Sequence, residues 1–140
     1  MATNTPDPGE KRTAAPMSNS LNDMTFVIAG GSKGIGLAIT HQLLEAGANV
    51  HVYSRTRGDL TESDRLTHRV LDFSEDESEL VELPDAIHGA AYCPGTINLR
   101  SFRGLTLENF RDDFEVNTMG AVKFLKGCLA GLKKGSMTHT

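Results

Sequence analysis

The chain has 140 residues, a net charge of -4 at pH 7 and 39% hydrophobic residues. That length is enough for one domain with a real core, and the negative net charge gives no indication of a nucleic-acid partner. No apolar run approaches the ~18 residues that a membrane helix requires. The two cysteines, Cys93 and Cys128, are too few for a disulfide framework. They predict reduced thiols and a cytoplasmic location.

The two ends of the chain differ in composition from its middle. Residues 1–22 are rich in Thr, Asn, Pro, Ser, Ala and Gly, with no periodic apolar face and no apolar segment typical of a secretory signal. We predict a disordered tail there, an incomplete dinucleotide-binding domain over residues 23–134, and a short C-terminal tail over 135–140.

The first half of the domain alternates between strand and helix patterns. The apolar run at 25–30 predicts a buried parallel strand. A helix is predicted to follow and to end before Gly47, where a C-terminal glycine belongs. The alternating segment 48–54 predicts a second strand. The apolar face of the helix is predicted to consist of Ile35, Ala38, Ile39, Leu43 and Ala46.

The second half continues the alternation. We predict a third strand at 67–73, a short acidic helix at 75–82 with a capping box of Ser74 and Glu77, and a fourth strand at 86–93. Thr106 is predicted to cap a long helix that ends near Leu132. Its apolar stripe is predicted to contain Phe110, Phe114, Ala121, Leu125 and Leu129. This order of elements predicts an α/β fold, a Rossmann-like doubly wound parallel sheet of about four strands.

A glycine-rich turn, "GGSKGIG" at 30–36, joins the first strand to the first helix. Gly30 permits the tight turn, Gly34 lets the backbone approach a pyrophosphate, and Gly36 lets the helix pack closely on the sheet. The helix N-terminus offers free N–H groups and a positive dipole end to phosphates. The alternative is an ordinary strand-to-helix turn that is rich in glycine. The residues predicted to bind a dinucleotide here are Gly30, Ser32, Lys33, Gly34, Ile35 and Gly36.

The residues after the second strand indicate which dinucleotide is bound. An NAD site usually has an acidic residue there, which binds the ribose 2′-hydroxyl. This chain instead has Ser54 and Arg55, and Lys33 of the glycine turn can reach the same region. Two cations and no anion favour the 2′-phosphate of NADP(H). The alternative is that Arg55 and Arg57 are solvated loop charges.

Four segments in this order resemble the short-chain dehydrogenase/reductase family over about residues 24–134. "AGGSKGIG" is similar to its cofactor motif, with Ala29 in place of a threonine. "LDF" at 71–73 resembles the segment whose aspartate contacts the adenine, which implies cofactor roles for Asp72 and Phe73. "YCPG" at 92–95 stands where the family has Asn-Asn-Ala-Gly and keeps only Gly95. "FEVNTMGAVKF" resembles the family's fifth helix and places Asn117 at its active-site asparagine.

Three departures from the family pattern lie beside the cofactor segments. Ala29 and Tyr92 replace residues that tie the central strands together in the family, and Pro94 lacks a backbone donor. We therefore expect altered packing near the cofactor with the fold retained.

The resemblance implies hydride transfer from NADP(H) to a small carbonyl substrate of the 3-oxoacyl type. The family uses a serine and a Tyr-x-x-x-Lys motif for this reaction, but Tyr53 is followed by Arg57 and Tyr92 by Thr96 at that spacing. Asn117 is thus the single catalytic candidate, and the 140-residue chain alone is predicted inactive.

Two other readings of the chain remain open. One is a non-catalytic dinucleotide-binding subunit, and the other is a frameshifted or truncated product without activity. The sheet is expected to stop after the fifth helix with its fourth strand as an open edge, which favours aggregation or a partner. A homo- or hetero-oligomer formed through the long helix is one such expectation.

Overall fold

The computed structural model describes residues 20–75 and 79–137. Four parallel strands form one sheet in the order β3-β2-β1-β4. This is the Rossmann-like α/β arrangement that the sequence predicts. The strands are β1 (Thr25–Ala29), β2 (Asn49–Ser54), β3 (Leu66–Val70) and β4 (Gly89–Tyr92), and the helices are α1 (Gly34–Glu45), α2 (Leu107–Phe114) and α3 (Gly120–Met137). A single 3-10 turn, Phe102–Gly104, precedes α2, and a π-helical turn, Glu115–Met119, joins α2 to α3.

The sheet carries a helix on each face. On one face, α1 contributes Leu44 to a cluster with Ile28, Val50 and Val52. On the other face, α3 contributes Phe124 and Cys128 to a second cluster with Val27 and Tyr53. The central strands are thus covered on both sides, as in a doubly wound sheet, which explains why β1 is apolar at every position after Thr25.

The first helix ends as its sequence predicts. Gly47 has a φ of +93°, and its N–H donates to the Leu44 carbonyl, while the Ala48 N–H donates to the Leu43 carbonyl. These two bonds form a Schellman cap, which requires the left-handed conformation that glycine adopts without strain.

The apolar face predicted for α1 is only partly right. Ile39 and Leu43 pack against the core cluster, but Ile35 is 79% exposed. The most deeply buried positions of α1 are Gly36, Thr40 and Leu44. Two of these are not apolar side chains, so a hydrophobic stripe cannot reveal them.

The apolar stripe predicted for the long helix is wrong. Phe114, Leu125 and Leu129 are 57%, 56% and 60% exposed, and Phe110 is 46% exposed. The packed face instead contains Gly120, Phe124, Cys128, Gly131 and Gly135. The cause is that glycines let the helix approach the sheet closely, since a Cβ at Gly135 would collide with the Ile87 carbonyl.

The ends of several predicted elements also change. Thr106 caps α2 in a capping box with Asn109, but the helix is interrupted by the π-helical turn and continues to Met137, into the segment predicted as a tail. β3 ends at Val70 and β4 begins at Gly89, so both are shorter than predicted.

The predicted acidic helix at 75–82 is not formed in the residues that can be described. Positions 76–78, which include Glu77, lie outside them, and residues 79–82 have no helical structure. The Ser74 side chain donates to Asp72 Oδ1 instead of capping a helix.

The last residues of the predicted N-terminal tail contact the core. Leu21 packs on the cluster beneath α1, and its N–H donates to the Ala46 carbonyl. Residues 1–19 of the predicted tail lie outside the described part of the chain. Within residues 20–75 and 79–137, no helix has the length and apolar character needed to cross a bilayer.

Candidate functional site

A cleft of about 940 Å³ opens at the carboxyl ends of β1, β2 and β4. Ligands of open parallel sheets bind at this edge, where the chain order reverses between neighbouring strands. Eight of the residues predicted to bind the cofactor line the cleft: Gly30, Ser32, Lys33, Ser54, Arg55, Asp72, Phe73 and Gly95. Gly34, Ile35, Gly36 and Asn117 are not among the lining residues.

The glycine turn wraps the amino end of α1. Gly30 and Gly34 have φ values of +70° and +55°, and a Cβ on Gly34 would meet nothing within 4 Å. The backbone at Gly34 therefore borders open space. Gly36 is confined, because its Cβ would collide with the Gly30 carbonyl. The three glycines thus differ in their surroundings: Gly30 and Gly34 have a left-handed φ, and Gly36 has no room for a side chain.

The Thr40 side chain is hydrogen-bonded to the backbone of the glycine turn. Its side chain is fully buried, and its hydroxyl lies 2.9 Å from the Gly36 carbonyl oxygen and 3.3 Å from that of Gly31. Thr40 is not among the residues predicted from the sequence to form the site. A polar residue one helical turn after Gly36 is the signal that could have found it.

The amino end of α1 has the features of an anion site. No side chain caps the helix, so its first N–H groups are not taken by a capping hydroxyl or carboxylate. Lys33 occupies the N-cap position and is exposed, and it lines the cleft. Ile35 is exposed at the start of the same helix.

The end of β2 presents one buried hydroxyl and one exposed cation. Ser54 is 6% exposed, and its Oγ donates to the Thr56 carbonyl at 2.7 Å. The same oxygen lies 2.8 Å from His68 Nε2 on β3. Arg55 follows, is exposed, and lines the cleft.

His68 is a second residue that the sequence analysis did not connect to the site. Burial, with the charge of Arg57 as a smaller cause, lowers the pKa of His68 below its ordinary value of 6.5. The neutral imidazole is therefore the favoured partner of the Ser54 hydroxyl.

The Asp72 side chain is hydrogen-bonded within its own loop. Its Oδ1 accepts hydrogen bonds from the Ser74 hydroxyl at 2.6 Å and from the Ser74 N–H at 2.9 Å. These bonds are the main reason that the pKa of Asp72 is lowered, and the positive charge of Arg55 is a smaller one. Asp72 is thus held as a carboxylate on the wall of the cleft.

Asn117 fastens the loop that follows β4. Its Oδ1 accepts from the Thr96 N–H at 2.9 Å, and its Nδ2 donates to the Thr96 carbonyl at 2.8 Å. Both ends of the amide are therefore used within the protein. Asp113, which the sequence analysis missed, accepts from the Thr96 hydroxyl at 2.8 Å and from Asn98 Nδ2 at 2.9 Å.

Tyr92 and Pro94, which depart from the family pattern, both pack against neighbouring residues of the site. Pro94 lies directly against Gly30, where a Cβ would approach its nitrogen to 2.9 Å. The Tyr92 ring packs edge-on against Phe73, with 5.4 Å between the ring centroids. Phe73 is 5% exposed, so its side chain belongs to the core although the residue borders the cleft.

The donor set of this cleft fits a nicotinamide dinucleotide. The uncapped amino end of α1 and the cations Lys33 and Arg55 on the cleft wall are suited to phosphate groups. Among the residues that the structure describes, no group of three His, Cys, Asp or Glu could hold a metal ion.

Comparisons with known proteins point to one protein family. The family model described as short chain dehydrogenase matches residues 24–139. Benzil reductase ((S)-benzoin forming) of Bacillus subtilis is 32% identical over 84 residues, which are 60% of this chain and 31% of the relative.

Solved structures give the same fold. The Pseudomonas aeruginosa RhlG/NADP active-site complex superposes with a TM-score of 0.71 at 21% identity, covering 87% of this chain and 52% of that one. A short chain dehydrogenase from Leptospira borgpetersenii with bound NAD+ gives 0.68 at 19% identity, covering 84% and 49%. The chain thus spans about half the length of these structures.

Proposed function

Because the chain belongs to the short-chain dehydrogenase family, we propose that it forms the NADP(H)-binding part of a carbonyl reductase. The observation that carries the choice of NADP(H) is the pair of exposed cations, Lys33 and Arg55, on the cleft wall. The residues that follow β2 read Arg-Thr-Arg-Gly, with no carboxylate to bind a ribose 2′-hydroxyl.

Each part of the site has a physical task in this proposal. The glycine turn and the amino end of α1 hold the pyrophosphate, Arg55 and Lys33 bind the 2′-phosphate, and Asp72 contacts the adenine. Bound NADPH supplies the hydride that a carbonyl carbon accepts. Gly95 and the loop held by Asn117 form the wall on the nicotinamide side. The proposed substrate class is a 3-oxoacyl compound or a related small ketone.

For the 140-residue chain by itself, we propose dinucleotide binding without turnover. Tyr53 donates its hydroxyl to the Val81 carbonyl, and Tyr92 donates to that of Val116. Neither is followed by a lysine four positions later. Neither tyrosine is therefore available as the tuned acid that carbonyl reduction requires.

We also propose association through the long helix and a cytoplasmic location. Phe114 on α2 and Leu125 and Leu129 on α3 are apolar side chains that stay exposed, and exposed apolar patches mark protein contacts. Cys93 and Cys128 are unpaired, which suits a reducing compartment.

The experiment that tests the NADP(H) proposal is the substitution Arg55→Asp, with Arg57→Asp as its matched control. Arg57 carries the same charge two positions later, but it does not line the cleft and lies 3.9 Å from Glu62. A hydrogen bond between charged groups contributes about 1.5–3 kcal/mol, and exposure reduces this to about 1.4 kcal/mol, or tenfold.

The readout is the dissociation constant of each cofactor, measured from the change in nicotinamide fluorescence. Arg55→Asp should weaken NADPH binding about tenfold and NADH binding less than about threefold. Arg57→Asp should change both by less than about threefold. Equal losses for NADPH and NADH in Arg55→Asp would contradict the proposed 2′-phosphate contact.

A further inference from the structure

The strand β4 and the π-helical turn are joined by one side-chain hydrogen bond. The Tyr92 hydroxyl donates to the Val116 carbonyl oxygen, which lies within the turn. In the same turn the Gly120 N–H donates to the Glu115 carbonyl, five residues earlier. A π-helical turn widens the helix and alters the facing of the residues on either side of it.

The phenol fits a space that the surrounding residues leave for it. A Cβ on Gly120 would collide with the Tyr92 hydroxyl. The ring packs against Phe73 and Phe124, with centroid distances of 5.4 Å and 5.7 Å. Burial raises the pKa of Tyr92 to about 12, so its hydroxyl stays protonated and remains a donor.

Asn117 lies directly after the carbonyl that Tyr92 binds. Its amide makes two hydrogen bonds to the backbone of Thr96, at 2.9 Å and 2.8 Å. These two bonds depend on the orientation of the turn. A helical residue that changes its register rotates by about 100° around the helix axis, so Asn117 would then no longer face Thr96.

We propose that Tyr92 is a positioning residue for the cofactor cleft. Its hydroxyl holds the π-helical turn in the register that directs Asn117 at Thr96, and this fixes the loop that carries Pro94, Gly95 and Thr96 along the cleft. Tyr92 does not line the cleft itself, so it acts through Asn117. The effect on cofactor binding rests on the proposed NADP(H) function, whereas the effect on the turn does not.

The chain offers a matched control for the test. Tyr53 is also in the cluster that packs against α3, and it also donates its hydroxyl to a backbone carbonyl, that of Val81 at 2.6 Å. Its acceptor, Val81, lies outside the π-helical turn. Tyr92→Phe and Tyr53→Phe therefore each remove one hydroxyl and keep the ring, but only the first removes the contact to the turn.

The first readout is amide hydrogen exchange of residues 115–121 in the cofactor-free protein. Tyr92→Phe should raise their exchange about threefold to tenfold, the range expected for the loss of one hydrogen bond. Tyr53→Phe should leave these amides unchanged relative to the rest of the chain. Gly120→Ala, which displaces the phenol by another route, should raise the same amides.

The second readout is NADPH affinity. Tyr92→Phe should weaken binding about threefold to tenfold, and Tyr53→Phe should not. If Tyr92→Phe leaves the exchange of residues 115–121 unchanged, or if Tyr53→Phe raises it equally, the positioning role is refuted. If the unsubstituted protein fails to bind NADPH, the proposed function fails, while hydrogen exchange still decides the role of Tyr92.

Discussion

Two glycines only two positions apart should respond differently, and for different physical reasons, to the same substitution. Gly34 and Gly36 both stand at the start of α1. Gly34 has a φ of +55° and open space where a Cβ would stand, whereas Gly36 has no positive φ and no room. Gly34→Ala and Gly36→Ala thus separate backbone strain from steric collision.

The magnitudes follow from the two surroundings. A Cβ on Gly36 would meet Gly30 and Gly31 backbone atoms, including the Gly31 Cα at 3.0 Å, and backbone cannot turn aside as a side chain can. Overpacking of this kind costs about 3 kcal/mol. The left-handed φ of Gly34 costs an alanine about 1 kcal/mol. At about 4 °C per kcal/mol, the expected losses in Tm are about 12 °C and about 4 °C.

For cofactor binding we expect the reverse order: Gly34→Ala, which lowers Tm less, should weaken NADPH binding more than its small loss of stability would suggest. The open side of Gly34 is where we propose that the pyrophosphate approaches, so Gly34→Ala should weaken NADPH binding about tenfold or more at a temperature where the protein is folded. Thermal unfolding followed by circular dichroism, with and without NADPH, measures both effects. Equal losses of Tm in the two variants would refute the steric argument for Gly36.

Two further predictions concern α3 and acid stability. Phe124→Ala should cost about 4 kcal/mol of stability because the ring is 3% exposed, whereas Leu129→Glu, at a 60% exposed position, should cost less than about 1 kcal/mol. Light scattering should show that Leu129→Glu weakens the association that we propose for this helix. The opposite ranking of the two variants in urea unfolding would show that the packed face of α3 is misassigned. The pKa of His68 is lowered in the fold, so the stability present above its ordinary pKa of 6.5 should be lost as the pH falls through the folded pKa. His68→Gln should therefore lose less Tm between about pH 7.5 and about pH 5.5 than the unsubstituted chain, and an equal loss would count against this reasoning.

The glycine turn could be predicted from sequence because its information is local. The space at Gly36 is limited by the Gly30 and Gly31 backbone, and the end of α1 at Gly47 is formed by bonds to the last turn of that helix. The same holds for Thr106, whose capping partner Asn109 is three residues away. Gly30 is the exception, because it also lies against Pro94, which is distant in sequence. The alternation of strands and helices predicts a parallel doubly wound sheet, but it does not by itself separate the observed order β3-β2-β1-β4 from the other doubly wound order.

The face of α3 could not be predicted because two of its determinants are not hydrophobic. A π-helical turn changes the phase between α2 and α3, so a stripe drawn through Phe114 and Leu125 joins positions that do not share a packed face. Gly131 and Gly135 contribute contact by lacking a side chain. A prediction based on hydrophobic side chains does not recognise such glycines as part of a packed face.

The contacts in and beside the site that could not be predicted join residues far apart in the sequence. Tyr92 binds a carbonyl 24 residues away, His68 meets a hydroxyl 14 residues away, and Asp113 accepts from Asn98 across 15 residues. None of these pairs has a fixed spacing that a motif could express. Tyr92 is a replacement within a family motif, and its new partner becomes visible only in three dimensions.

The position of β4 beside β1 also has a kinetic consequence. The Thr25 N–H, at the start of β1, donates to His88 Nδ1 across 63 residues of sequence, and the Ile87 N–H donates to the Gly131 carbonyl in α3. Closing such long loops comes late in folding, because their entropy must be lost before the contacts form. On a ribosome that adds about 5–20 residues per second, β1, β2 and β3 emerge seconds before β4 and α3. The edge of β1 in this three-stranded sheet therefore stays unpaired until β4 is synthesised. The rate at which β4 and α3 are synthesised thus affects the balance between folding and misassembly.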